Sequence, residues 1–118
     1  MDILPVHTTK QRAQFINLPY ALYENDPLWI PPLRLEQKKL FVPSRNVMLQ
    51  NSPHELFLAV DGDRCVGRIA VFIDEHFNDY WNENIGFFGS FECIDDAQSA
   101  SALLTTGEQW LKARGMTA

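Results

Sequence analysis

"ELFLAVDGDRCVGRIAVFI", residues 55 to 73, sets two apolar runs on either side of Asp61-Gly62-Asp63. Asp-Gly between hydrophobic runs is the strongest short-range signal for a β-hairpin, because glycine readily takes the positive φ that a tight turn needs. The spacing predicts strands over 55–60 and 64–73. Residues 74–84 (DEHFNDYWNEN) read as a polar and aromatic loop, and 85–94 (IGFFGSFECI) read as a third long strand. Gly86 and Gly89 give up packing and backbone entropy inside that strand, which marks a bulge or the close approach of another group. They and Phe87 are therefore candidates for a substrate or partner surface.

Helical signals flank these strands. Residues 2–7 (DILPVH) suit an edge strand, where Pro5 is tolerated. Thr8-Thr9-Lys10-Gln11 matches a capping box, so a helix starts there with Ala13, Phe15, Ile16 and Leu18 on its apolar side. Pro19 is expected to kink or restart it before Tyr20, Leu22 and Tyr23, and Asn25-Asp26-Pro27 to stop it. Residues 27–33 contain three prolines and read as a rigid apolar loop, its Trp29 either plugging the core or lying over a cleft. A short helix over 33–41 and a loop over 43–53 complete this part. Further on, Asp95 is read as the cap of a final helix with Gln98 at its third position. Ala100, Leu103, Leu104, Gly107, Trp110 and Leu111 recur at helical spacing, and Gly115 terminates the run. The order gives an α+β layout: a mostly antiparallel sheet of about four strands flanked by about three helices.

Composition narrows the function classes. The chain has 118 residues, 46% hydrophobic and 21% charged, which fits a single domain over 1–118 with one core. Its net charge of −5 and scattered Lys and Arg argue against nucleic acid. Nothing resembles a leader, and no apolar run reaches the ~20 residues that span a bilayer, so the expectation is a soluble cytoplasmic protein with no membrane partner. Cys65 and Cys93 lack zinc-site spacing and read as buried reduced thiols. His76 among Asp74, Glu75 and Asp79 lacks the pattern of a metal site, so no metal is expected.

The stretches "LPYALYENDPLWIPPLRLEQKKL", "LFLAVDGDRCVGRIAVFID", "GFFGSFECIDD" and "LLTTGEQWLKARGM" resemble the N-terminal half of bacterial acyltransferases with a GCN5-related N-acetyltransferase (GNAT)-like fold. The element order resembles the first two-thirds of that fold. The resemblance implies acetyl-CoA or another acyl-CoA as cofactor and usually an amine as acceptor. It also implies that Phe91, Glu92 and Cys93 offer backbone groups to the pantetheine arm while Gln98, Ser99 and Ala100 face the pyrophosphate. The loop glycines of the family's phosphate site are absent from 94–101, where Asp95 and Asp96 place negative charge instead. The chain stops where a fifth strand would begin, so the expectation is a truncated domain with an open sheet edge that dimerises with a second copy.

Acylation of an amine needs a base for the ammonium proton, and often an acid for the leaving thiolate. Glu92, set among Phe87, Phe88 and Phe91, is the candidate base; the alternatives are a solvent-facing side chain or a pair with Arg68 on the neighbouring strand. Tyr20 or Tyr23 is the candidate acid. Cys93 has no histidine or basic surroundings to make it a nucleophile. Two readings stay open. The first is a binding or self-associating module without full catalytic machinery, using the apolar face near Trp29, Phe87 and Phe91 for a small apolar ligand or a protein. The second is an acyl-CoA-dependent N-acyltransferase whose slot a second chain completes.

Overall fold

The computed structural model describes residues 2–28, 31, 52–62 and 64–117. Over these the order is β1 (Asp2–Pro5), α1 (Thr9–Leu22), β2 (His54–Asp61), β3 (Arg64–Phe72), α2 (Glu75–Trp81), β4 (Phe87–Cys93) and α3 (Ala97–Ala113). Trp29, the helix expected over 33–41 and most of the loop expected over 43–53 lie outside the described residues. The strands form one sheet in the order β1-β2-β3-β4, every neighbouring pair antiparallel. The hairpin forms as its sequence predicts: Asp61 pairs with Arg64, and Gly62 sits at φ 63°.

Both faces of β2 are covered, which is why its sequence is a continuous apolar run and not an alternating one. Leu56, Leu58 and Val60 pack with Val6, Phe15 and Ile16 under α1. Phe57 and Ala59 pack with Val66, Ile69, Val71 and Leu103 under α3. Helix α3 lies close to the sheet because glycines let it. A Cβ on Gly107 would stand 2.9 Å from Val71 Cγ1, and one on Gly86 would run into the Leu111 side chain. A Cβ on Gly89 would meet nothing within 4 Å.

Several sequence expectations change here. Residues 75–81 are helix and not loop: Asp74 caps α2 by accepting from the Phe77 N–H at 3.0 Å, and Asn82 closes it at φ 52°. Buried Asn78 then holds the chain that leaves α2 by donating to the Ile85 carbonyl and accepting from the Ile85 N–H. The third long strand is shorter than 85–94, and Gly86 precedes it, facing α3. The cap of α3 is Asp96 and not Asp95, which places Gln98 at the second helical position. The capping box of α1 forms as expected, with Thr8 Oγ1 accepting from the Gln11 N–H and Gln11 Oε1 from the Thr8 N–H.

Helix α1 runs through Pro19 without restarting. Proline has no N–H, so the Phe15 carbonyl four residues earlier loses its helical donor. Arg68 on β3 supplies one: its Nη1 donates to Phe15 O at 2.6 Å, and its Cζ lies 4.8 Å over the Phe15 ring. A second irregularity meets the same side chain. In the β3–β4 ladder Arg68 opposes Glu92 while Ala70 opposes Gly89, so Ser90 and Phe91 together face Ile69 across a β-bulge. The residue that takes the left-handed conformation is Ser90, at φ 52°, and neither glycine. Arg68 Nε donates to the Ser90 carbonyl at 3.0 Å.

Replacing Arg68 with Ala removes the donor of two carbonyls that are wholly or partly buried, and should cost on the order of 3 kcal/mol in urea unfolding. Pro19→Ala restores an N–H for the Phe15 carbonyl. In that background the Arg68→Ala cost should shrink by about 1 kcal/mol, the coupling a double-mutant cycle measures. Equal costs in both backgrounds would remove the link between Pro19 and Arg68.

Candidate functional site

The face of the sheet under α1 carries a buried polar cluster. Arg68, only 4% exposed, lies at its centre. Burial lowers the pKa of its guanidinium, and the Glu92 carboxylate across the ladder is the first influence acting the other way. Tyr23, the residue that ends α1, reaches the same spot. Its Oη donates to Glu92 Oε2 at 2.6 Å across 69 residues of sequence. The hydrogen bond to Glu92, followed by burial, raises the Tyr23 phenol above its ordinary value. Glu92, Tyr23 and Arg68 thus form one cluster beside the bulge. Tyr20, one turn earlier on α1, is half-buried.

The bulge also sorts the aromatic residues. Phe87 stacks on Phe72, with centroids 5.5 Å apart, and meets Phe77 of α2 edge-on. Phe91 packs instead against the Ile69, Val71 and Leu103 cluster under α3. Phe87 and Phe91 therefore stand on opposite faces of β4 and do not make one apolar surface, a correction that follows from the extra residue at Ser90. Phe88, 61% exposed, opens with Leu104 and Leu111 onto a shallow hollow of about 300 Å³. Trp29 is outside the described residues.

A CoA thioester asks two things of such a strand: a backbone edge for its arm, and unpaired N–H donors at the following helix for its diphosphate. Among the described residues β4 is an edge strand, so the outer edge of Phe91, Glu92 and Cys93 has no strand neighbour there. The second is not met. Asp96 Oδ1 accepts from the Gln98 N–H at 3.2 Å, and Asp96 Oδ2 accepts from Ser99 Oγ at 2.6 Å. These bonds, the one from Ser99 first, hold the Asp96 carboxyl below its usual range. Gln98, Ser99 and Ala100 begin α3, but the Gln98 N–H and Ser99 hydroxyl donate to the Asp96 carboxylate and the Ala100 N–H to the Asp96 carbonyl.

Burial raises the pKa of both thiols, Cys65 and Cys93, which leaves them protonated and poor nucleophiles. No group of three or more His, Cys, Asp or Glu that could hold a metal ion occurs among the described residues. No helix among them is long and apolar enough to cross a membrane. A hollow of about 530 Å³ lies between α2 and the end of α3, lined by Glu75, Asp79, Glu83 and Arg114 among others, away from the Glu92 cluster.

No family model matches the chain. It is 36% identical over 118 residues to a bacterial ceramide synthase of Caulobacter vibrioides, matching 99% of this chain and 31% of that protein. It is 35% identical over 101 residues to protein YghO of Escherichia coli, matching 86% of this chain and 26% of that one. The chain thus spans less than a third of the length of these relatives. Among solved structures it is similar to the "Putative acetyl transferase from Pyrococcus furiosus", with a TM-score of 0.62 and 19% identity over 98% of this chain and 78% of that one. The architecture is a partial GNAT-like fold.

The raised Tyr23 phenol has a checkable signature. Because its folded-state pKa lies above the unfolded value, the stabilisation is fully present below pH ~10 and is lost as pH rises through the folded value. An ultraviolet titration should show one of the three tyrosines ionising late. That component should vanish in Tyr23→Phe and return toward the ordinary value in Glu92→Gln. A late component that survives Tyr23→Phe would assign it to another tyrosine.

Proposed function

We propose that this chain is the acceptor-binding part of an amide-forming N-acyltransferase, in which Glu92 receives the proton of the acceptor ammonium. The observation that carries the reading is the Tyr23–Glu92 bond beside the β4 bulge. A carboxylate that takes a phenol O–H at 2.6 Å presents the same oxygen to an ammonium N–H. An amine attacks an acyl group only through its free lone pair, so a proton must first leave the nitrogen. Glu92 accepts it, the carboxylate becoming a neutral carboxylic acid. Tyr20 was the other candidate acid on α1. Tyr23 takes that place in this reading, because its hydroxyl is the one found on Glu92.

The likeness to a ceramide synthase supports an acceptor class. A ceramide is the amide of a fatty acid with a long-chain amino alcohol, so the acceptor proposed here is a long-chain primary amine. Dodecylamine, added below its micelle concentration to the isotopically labelled chain, should shift the amide signals of Tyr23, Ser90 and Glu92. Glu92→Gln should weaken that binding by about tenfold. Dodecanol, with the same tail and no charge, should leave those signals in place. Shifts of equal size with the alcohol, or unchanged affinity in the Gln variant, would refute the assignment.

The outer edge of β4 favours a second reading, that two copies pair there. It has no strand neighbour among the described residues, and Phe88 stands exposed beside it. Sedimentation equilibrium should then show a dimer that Phe88→Lys weakens. A monomer at all accessible concentrations would exclude it.

A further inference from the structure

We infer that the N-terminus of α3 is closed to a nucleotide diphosphate by the chain's own Asp96, so that this domain does not distinguish a CoA thioester from a pantetheine thioester. The inference rests on the geometry of the cap and not on the amine reading above.

A diphosphate is held at a helix N-terminus by N–H groups that have no partner inside the helix. In α3 that role is already filled. The Gln98 N–H donates to Asp96 Oδ1, and the Ser99 hydroxyl donates to Asp96 Oδ2. Ser99 is 1% exposed, so the carboxylate is anchored on a side chain that cannot swing away to solvent. The Ala100 N–H donates to the Asp96 carbonyl at 3.1 Å and belongs to the helix proper. An incoming diphosphate would have to expel Asp96 from these bonds and then remain beside it.

The surroundings add charge of the same sign. The hollow in front of this helix end, about 230 Å³, is lined by Asp61, Val66, Ile94, Asp96, Gln98 and Ser99. Asp95 is exposed immediately before the cap. No lysine, arginine or glycine occurs from residue 94 to 101, so neither a counter-charge nor a bare backbone approach replaces the missing donors. The bonds from Ser99 and Gln98 keep Asp96 ionised well below neutral pH, which makes the exclusion a property of the domain at physiological pH. The strand edge at Phe91–Cys93 asks nothing of a diphosphate, so an arm laid there would be recognised alike with or without the nucleotide.

Calorimetric titration of the chain with acetyl-CoA, S-acetyl-pantetheine and inorganic pyrophosphate tests this directly. The two thioesters should bind within about threefold of each other or both fail to bind, and pyrophosphate should give no heat. Acetyl-CoA binding more than about tenfold tighter than S-acetyl-pantetheine would overturn the inference. Asp96→Gly keeps a residue that is tolerated at an N-cap while freeing the donors. It should gain about tenfold or more in affinity for pyrophosphate and for acetyl-CoA, with no gain for S-acetyl-pantetheine. Asp96→Asn, which retains a cap but loses the charge, should gain less, and circular dichroism should show both variants folded. Folded variants with no gain would remove Asp96 as the closing group. If dodecylamine leaves the Glu92 signals unmoved while these titrations come out as stated, the amine reading fails and the closed helix end stands.

Discussion

One buried guanidinium reconciles two breaks in regular structure. Pro19 removes the donor that the Phe15 carbonyl would have had inside α1, and the bulge at Ser90 turns a β4 carbonyl out of the ladder. Arg68 donates to both, at 2.6 and 3.0 Å, and lies against the Phe15 ring. Each of those carbonyls would otherwise be an unsatisfied acceptor in a region of low dielectric, where the missing bond is most costly. The same contacts fix α1 over β4. Tyr23 stands two turns beyond Phe15, and its hydroxyl meets Glu92 because the helix between them is tied down at Phe15.

Much of the fold is legible in short windows because the forces that set it are local. The Asp61-Gly62 turn, the Thr8–Gln11 capping box and the period of α3 each depend on residues a few positions apart. Helix α2 was not legible: seven residues carry no periodicity, and an Asp at its start reads equally as a loop residue. The cap of α3 fell one residue from its expected place because Asp95 and Asp96 offer the same side chain, and only the buried Ser99 hydroxyl selects the second. The Glu92 cluster was half legible. Glu92 stood out as an acid in an apolar strand, but its Tyr23 partner is 69 residues away and no spacing rule reaches it. Phe87 and Phe91, four residues apart, would share a face in a regular strand, and the bulge between them shifts that parity.

The glycines of β4 and its approach show why a residue type alone is an incomplete signal. Gly86 marks the close approach of α3, and Gly107 does the same from the helix side against Val71. Gly89 has open space where a side chain would be, yet the left-handed residue beside it is Ser90. Helix–sheet contact and bulge are thus separate features of β4 and its approach, and the strand carries Glu92 on the α1 side and Phe91 on the α3 side.

Glu92 and Asp96 are carboxylates four residues apart, and their surroundings give them opposite roles. Asp96 has both oxygens engaged by its own helix, which stabilises the start of α3 and repels any second anion. Glu92 has one oxygen on a phenol from α1 and faces a buried cation across the ladder, so its charge is shared between two neighbouring elements. Along this short stretch the chain thus holds one carboxylate shared with a phenol from α1 and one spent on the cap of α3. The fold alone supplies neither property, since both follow from side chains placed on it.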